Sequence, residues 1–225
     1  MRILLTTILL SCFSLVSIKA QSYYLGGKVG YGMNMQIWNS FERDMIFTPL
    51  VDVYTETYDE MPSRLYASFG YRTRGSSVRG RNFNSFYTYK FQNLSLEAGG
   101  KRLLSMDKKF NPYYSVGARL EYTLSSNLNA SSGNIFTSLV DDEYVNKWNY
   151  GVSVGGGFEY AWTDTRVLFV EVCINPDLSK QYEQLATASY TDPNGVTYTI
   201  QKEEVRNVSI ELKLGIKFLS GYFEE

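Results

Sequence analysis

The sequence predicts an all-β protein, an eight-stranded antiparallel transmembrane β-barrel with short periplasmic turns and long extracellular loops. Apolar and polar residues alternate over eight segments, as expected for strands whose successive side chains point to opposite faces. Short and long connections alternate between these segments. The 225 residues include 19 Tyr, 13 Phe and 18 Gly, which suit strands with aromatic girdles and close backbone contacts.

The first twenty residues have the layout of a secretory signal peptide. Basic Arg2 precedes an apolar run that extends to Ile18, and Ala20 lies directly before Gln21. This run is too short, and wrongly flanked, for a spanning helix. We therefore predict a cleaved signal over residues 1–20 and a single outer-membrane β-barrel domain over residues 21–225. A lipoprotein signal at Cys12 is the alternative.

The first four predicted strands cover residues 24–38, 49–59, 64–74 and 86–104. The first sets apolar side chains against glycines and Lys28, and the second, weaker strand sets valines and threonines against Asp52. The third places Arg72 on its polar face. In the fourth, the alternation slips near Gln92 and Asn93, where we predict a β-bulge.

The last four predicted strands cover residues 113–125, 149–162, 166–175 and 206–218. The fifth and sixth alternate cleanly, with Arg119 and Glu159 on their polar faces. The seventh is apolar on both faces except at Glu171 and Asn175, and the eighth alternates strictly around Lys213. No helix-period stretch or internal repeat competes with this interpretation.

The connections carry independent information. Those after the second, fourth and sixth strands are short, and those after the first, third, fifth and seventh are mostly longer and more polar. Short turns at one rim and long loops at the other are typical of outer-membrane barrels.

Two assignments of the faces obey the alternation. A soluble lipocalin-like barrel would line a ligand cavity with its oily face, whereas a membrane barrel turns that face to lipid. Dense Gly and Ser on the polar face suit a narrow interior, so we predict the polar face inside. Its balanced charges must then pair, which predicts a closed barrel rather than a porin. The predicted lumenal charge network consists of Lys28, Glu97, Lys101, Arg119, Glu121, Glu159, Glu171, Glu211, Lys213 and Lys217.

Aromatic residues gather toward the strand ends on the oily face. Such positions match the interfacial girdles of membrane barrels. The predicted lipid-facing aromatics are Tyr71, Tyr122, Tyr160, Trp162 and Phe218.

The composition argues against an enzyme. The chain has no His, the commonest general base and zinc ligand. Without the signal only Cys173 remains, so no intrachain disulfide can form. The glycines at 155–157 lie mid-strand and lack the lysine of a phosphate loop, so close packing explains them better. We predict no cofactor and, because the net charge is −1 without a basic cluster, no nucleic-acid partner.

The mature chain resembles the small outer-membrane β-barrel families of Gram-negative bacteria, most closely the PorT-like "outer membrane protein beta-barrel domain" group and more loosely the OmpA/OmpX-like barrels. The motifs are LGGKVGYG, NLSLEAGGK, YYSVGARLEYTL, YGVSVGGGFEY and ELKLGIKF. The resemblance implies insertion by the barrel-assembly machinery, which reads a polar residue, Gly and spaced aromatics in the final strand. Lys213, Gly215 and Phe218 match in part, with Tyr222 or Phe223 as the second aromatic.

The leading hypothesis is a non-enzymatic barrel in the bacterial outer membrane that acts through its extracellular loops in surface interaction or envelope integrity. The partners expected are outer-membrane lipid and lipopolysaccharide, and an acidic stretch at residues 141–144 could bind a divalent cation but fits a solvated loop better. The alternatives are a PorT-like accessory of protein secretion, with an envelope protein as partner, and a soluble lipocalin-like binder of an apolar ligand.

Overall fold

The computed structural model describes residues 22–38, 44–58, 61–79, 86–105, 109–130, 144–184, 187–191, 197–200 and 202–220. Nearly all of them lie in strands, and among them no helix is long and apolar enough to cross a membrane. The strands are β1 (Tyr23–Trp38), β2 (Ile46–Thr57), β3 (Ser63–Arg79), β4 (Phe86–Leu103), β5 (Phe110–Ala130), β6 (Trp148–Thr163), β7 (Arg166–Pro176), β8 (Tyr182–Gln184), β9 (Thr187–Thr191), β10 (Thr197–Ile200) and β11 (Glu203–Ser220). The predicted signal peptide, residues 1–20, and the alternative lipoprotein site at Cys12 lie outside the residues that the structure describes.

Strands β1 to β7 and β11 form a closed antiparallel barrel in sequence order. The barrel closes where β11 pairs with β1, from Tyr23 opposite Ser220 to Trp38 opposite Val205. Closure satisfies the backbone of both edge strands, which an open sheet would leave unpaired. The predicted fold class, an eight-stranded antiparallel barrel, is confirmed.

The two ends of the barrel differ in their connections. The connections after β2, β4 and β6 have five, six and two residues and lie at one end, which we call the turn end. Those after β1, β3, β5 and β7 have seven, six, 17 and 26 residues and lie at the opposite loop end. The connection between β7 and β11 contains β8, which pairs with β11, and a separate β9–β10 hairpin. The sequence predicted this segment as loop alone, because its strands are three to five residues long and too short for a clear alternation.

The predicted bulge near Gln92 lies on the neighbouring strand. The β4–β5 register shifts there, but Gln92 pairs with Ser125 and Asn93 pairs with Thr123. The extra residue is therefore Leu124 of β5, and β4 keeps one parity throughout.

The apparent slip in β4 has a chemical cause. Toward the loop end, its inward positions change from polar residues to Tyr89 and Phe91, and its outward positions become Thr88, Lys90 and Gln92. The hydrophobic residues change face while the strand continues regularly.

Over the rest of the barrel the polar face points inward. Leu212 is 53% exposed, and the next residue, Lys213, has no exposed surface. The soluble lipocalin-like alternative is therefore wrong, since it required the oily face to line the interior.

Glycines let inner side chains approach the wall closely. A Cβ at Gly215 would lie 2.2 Å from Cζ of Phe169, so that ring lies across the Gly215 backbone. A Cβ at Gly157 would lie 1.9 Å from the carbonyl oxygen of Val170. The glycines at 155–157 are thus mid-strand close-packing positions.

Candidate functional site

The barrel interior holds buried charges of both signs in equal number among the described residues. The cations are Lys28, Arg64, Arg72, Arg74, Lys101, Arg119, Lys213 and Lys217. The carboxylates are Asp52, Glu56, Glu97, Glu121, Glu159, Glu171, Asp177 and Glu211. Buried charges at such density require mutual pairing, so the contacts of these side chains decide whether the interior is a plug, a channel or a site.

All ten residues of the predicted lumenal network lie in this set. Asp52, Glu56 and Arg72, which the alternation also places on the polar face, lie in the set as well. The sequence analysis missed Arg64, Arg74 and Asp177. Arg64 and Arg74 share the parity of Arg72 on β3, and Asp177 continues the inward positions of β7 one residue beyond its end. Following the alternation to both ends of the predicted third strand would have found the two arginines, and extending the seventh strand by two residues would have found Asp177.

A cluster at the turn end centres on Glu56. Its carboxylate lies 2.9 Å from Arg64 Nη1, 3.0 Å from Lys101 Nζ and 2.9 Å from Lys217 Nζ. Glu159 pairs with the same two lysines, at 2.5 Å from Lys217. Three cations therefore share two carboxylates, and this cluster has an excess of one positive charge.

A middle cluster surrounds Glu171. Lys28 Nζ lies 3.3 Å from its carboxylate and Lys213 Nζ lies 3.7 Å away. Tyr113 and Cys173 donate hydrogen bonds to it, each at 3.1 Å. Cys173 is thus a buried, hydrogen-bonded thiol rather than an accessible nucleophile.

Aromatic rings fill the space beside this cluster. Tyr54, Tyr66 and Phe169 form a buried group, and Lys28 Nζ lies 4.2 Å from the ring centre of Tyr54, a favourable cation–π distance. The Tyr66 hydroxyl donates to Glu97 at 2.8 Å. The interior at this level is packed with rings as well as charges.

Toward the loop end, ion pairs link strands across the barrel. Arg72 lies 2.9 Å from Asp52 and 3.3 Å from Glu211. Arg74 bridges Glu211 at 2.9 Å and Glu121 at 2.7 Å. Both arginines share Glu211, which makes this a network rather than a set of isolated pairs.

An amide layer covers that network. Asp177 pairs with Arg119 and accepts a hydrogen bond of 2.8 Å from Asn207 Nδ2. Asn207 also donates to Gln181 at 3.0 Å and accepts from Gln36 at 3.0 Å. Above it, Tyr89, Phe91, Val145, Tyr182 and Val205 form a buried apolar cluster.

The outer face carries an apolar band. On β11 it runs from Val208 to Phe218, and ten residues at about 3.3 Å each, tilted by about 40°, span roughly 25 Å of barrel height. On the outer face, exposed Arg102 and Arg166 lie near the turn end of the band. We call the part of the barrel that has an apolar exterior and a charged interior the band. We call the part nearer the loop end, where the interior is apolar and the exterior is polar, the loop-end extension.

The five predicted lipid-facing aromatics project to the outer face at the ends of the band. Tyr71 and Tyr122 lie toward the loop end, and Tyr160, Trp162 and Phe218 lie toward the turn end. Two are paired with other outer rings, with centroids 4.8 Å apart for Tyr122–Trp148 and 4.9 Å apart for Phe110–Tyr160.

Charges at the loop end outside the barrel form partly exposed pairs. Lys180 Nζ lies 2.7 Å from both Glu183 and Glu204. The hydrogen bonds that it donates raise the pKa of Lys180 and lower the pKa of Glu183. Pairs of this kind add little to stability.

No group of three His, Cys, Asp or Glu side chains that could hold a metal occurs among the residues that the structure describes. Of the acidic stretch at residues 141–144, predicted as a solvated loop rather than a cation site, residues 141–143 lie outside the described residues.

No protein-family model and no curated protein matches this chain. Among solved structures, the outer membrane protein OprG from Pseudomonas aeruginosa is similar over 89% of this chain and 97% of its own, at 12% identity and a TM-score of 0.58. Neisserial surface protein A (NspA) is similar over 87% and 96%, at 12% identity and a TM-score of 0.49. A major outer membrane protein from Thermus thermophilus is similar over 87% and 99%, at 12% identity and a TM-score of 0.48. The likeness to OprG shows that the chain has the fold of a small outer-membrane β-barrel.

Proposed function

We propose that this protein is a non-enzymatic β-barrel of the bacterial outer membrane, with a closed, ion-paired interior, which acts through its loop end in surface interaction or envelope integrity. In this orientation the turn end faces the periplasm and the loop end faces outward. Lipid and lipopolysaccharide contact the band, and the barrel-assembly machinery inserts the chain.

One observation carries the proposal: along the same strand, apolar side chains point outward and the charged side chains next to them point inward. A water-soluble barrel with Leu212 and Leu214 on its surface would expose a continuous apolar band, which monomeric soluble proteins avoid. A bilayer makes that band favourable. The fold shared with OprG supports the same location.

The interior supports a structural plug rather than a channel. Eight strands leave an interior just wide enough for side chains. Here ion pairs such as Arg72–Glu211 cross that space, and the apolar cluster around Tyr182 covers the loop end. Function then belongs to the long connections, and a non-enzymatic role agrees with the absence of His from the sequence.

The location is tested by fractionation of cells that express the protein, followed by electrophoresis of the detergent-extracted outer membrane with and without heating. We expect recovery in that fraction and heat-dependent migration. Recovery as a soluble protein would contradict the proposal.

Closure is tested separately by conductance of the purified barrel in planar bilayers. We expect no porin-sized steps, because the ion pairs fill the interior. Partner capture at the loop end then distinguishes a surface role from the PorT-like secretion role, which no family match supports.

A further inference from the structure

The outer face of β3, β4 and β5 carries a groove near the turn end. It has a volume of about 500 Å³ and is lined in part by Leu65, Gly100, Arg102, Tyr114 and Val116. A Cβ built on Gly100 meets no atom within 4 Å. The floor of the groove is therefore bare backbone with open space above it.

The groove continues toward the loop end over small side chains. Ala67, Ala98 and Ala118 lie directly opposite one another on the three strands. Beyond them a second, apolar groove of about 370 Å³ lies against Phe69 and Leu96. Together they form a shallow track along β4 that begins at a cationic side chain and becomes wholly apolar.

Positive charge at the turn end favours an anionic ligand for this track. Arg102 is exposed on the outer face where the track begins. Behind the floor, Lys101 belongs to the interior cluster in which three cations share Glu56 and Glu159. The wall between the groove and that cluster is thin, because Gly100 has no side chain. Both features favour negative charge at this end.

We propose that this track binds one anionic glycerophospholipid, with its phosphate at Arg102 and one acyl chain over Gly100 and Ala98. The inference rests on the proposed membrane location, which places the turn end in the phospholipid leaflet. A cation at the bilayer interface with an apolar track leading to the bilayer centre matches the headgroup and chain of such a lipid.

Native mass spectrometry of the folded barrel, released from detergent with added phosphatidylglycerol or phosphatidylcholine, tests the proposal. We expect one retained phosphatidylglycerol and little phosphatidylcholine. Arg102→Gln should weaken phosphatidylglycerol retention about fivefold, the equivalent of about 1 kcal/mol per basic residue at an anionic surface. Gly100→Leu should abolish it, because the new side chain occupies the groove, and its Cβ meets no atom within 4 Å.

Arg166→Gln is the matched control. Arg166 is also exposed at the turn end, at the start of β7, but it lies away from the groove and its loss should leave retention unchanged. Equal losses in the two arginine variants would overturn the proposal in favour of general surface attraction. Absence of retained lipid on a heat-modifiable wild-type barrel would also overturn it, and would leave the proposed function standing. Failure of the wild-type protein to insert would overturn both.

Discussion

The band and the loop-end extension are built on the same strands but bury opposite chemistry. In the band the interior of β4 carries Ser95 and Glu97 and the exterior carries Leu94 and Leu96; in the extension the interior carries aromatic residues such as Phe91. On β4 the side-chain parity is the same in both regions. The comparison shows that the polarity of an inward position reports what surrounds the barrel at that height, and not the register of the strand.

The largest loss of stability is expected from Glu56→Gln in the interior of the band. This change leaves Arg64, Lys101 and Lys217 with Glu159 as their remaining carboxylate partner in the cluster, and breaking a buried pair in this way typically costs roughly 3–5 kcal/mol. We expect a loss of that size in the free energy of unfolding, measured by urea titration in phospholipid vesicles. The control is Glu183→Gln, which removes a partly exposed carboxylate at the loop end and should leave the urea midpoint almost unchanged. Equal midpoints for the two variants would show that the cluster is hydrated and loosely paired.

A charge on the outer face separates the two regions directly. Leu212→Arg places a guanidinium in the apolar band and should destabilise the inserted barrel by roughly 2–4 kcal/mol near the bilayer midplane. Thr88→Arg, on the outer face of the extension, should stay within about 0.5 kcal/mol of wild type. The same titration measures both, and a neutral Leu212→Arg would contradict the assignment of the outer face to lipid.

Removal of one interior hydroxyl should have a smaller effect. Tyr66→Phe deletes the hydrogen bond to Glu97, and the loss of a hydrogen bond to a buried charge costs about 1.5–3 kcal/mol. Tyr71→Phe, on the outer face of the same strand, should change the free energy of unfolding little. If the outer variant lost as much as the inner one, the distinction between the faces of β3 would fail.

The smallest effect is expected in the extension. Phe91→Leu keeps an apolar side chain in the cluster with Tyr182 and Val205 but removes part of the ring volume, so we expect a cost of about 1 kcal/mol, well below the roughly 3–5 kcal/mol typical of Phe→Ala. We expect slightly faster limited proteolysis at the loop end and an unchanged heat-dependent gel shift. Loss of the gel shift would mean that the extension helps to hold the band together.

The sequence predicts the eight barrel strands and the polar character of the inner face because period-two alternation is strong where one face is apolar throughout. The prediction fails in the loop-end extension, where the outer face is no longer apolar. Tyr89 and Phe91 are apolar at inward positions that carry polar residues elsewhere on β4, so the sequence pattern predicts a slip there. Leu124, the actual bulge residue, lies in β5, where the alternation shows no irregularity. The pairing of particular charges, such as Arg74 with Glu121, depends on the stagger between distant strands, which one strand's pattern does not encode.

The pairing of β1 with β11 has a consequence for assembly. The first and last barrel strands share a register of sixteen residue pairs, so contacts between the two extremes of the barrel sequence form one of its longest seams. Such high contact order makes folding slow and places the closing step last. Without the β1–β11 pairing the remaining sheet has two open edges, and its charged inner face is not enclosed. A chain in which β11 has not paired with β1 would therefore be an open sheet prone to pairing with other chains. Formation of the β1–β11 pairing is the step that completes the barrel.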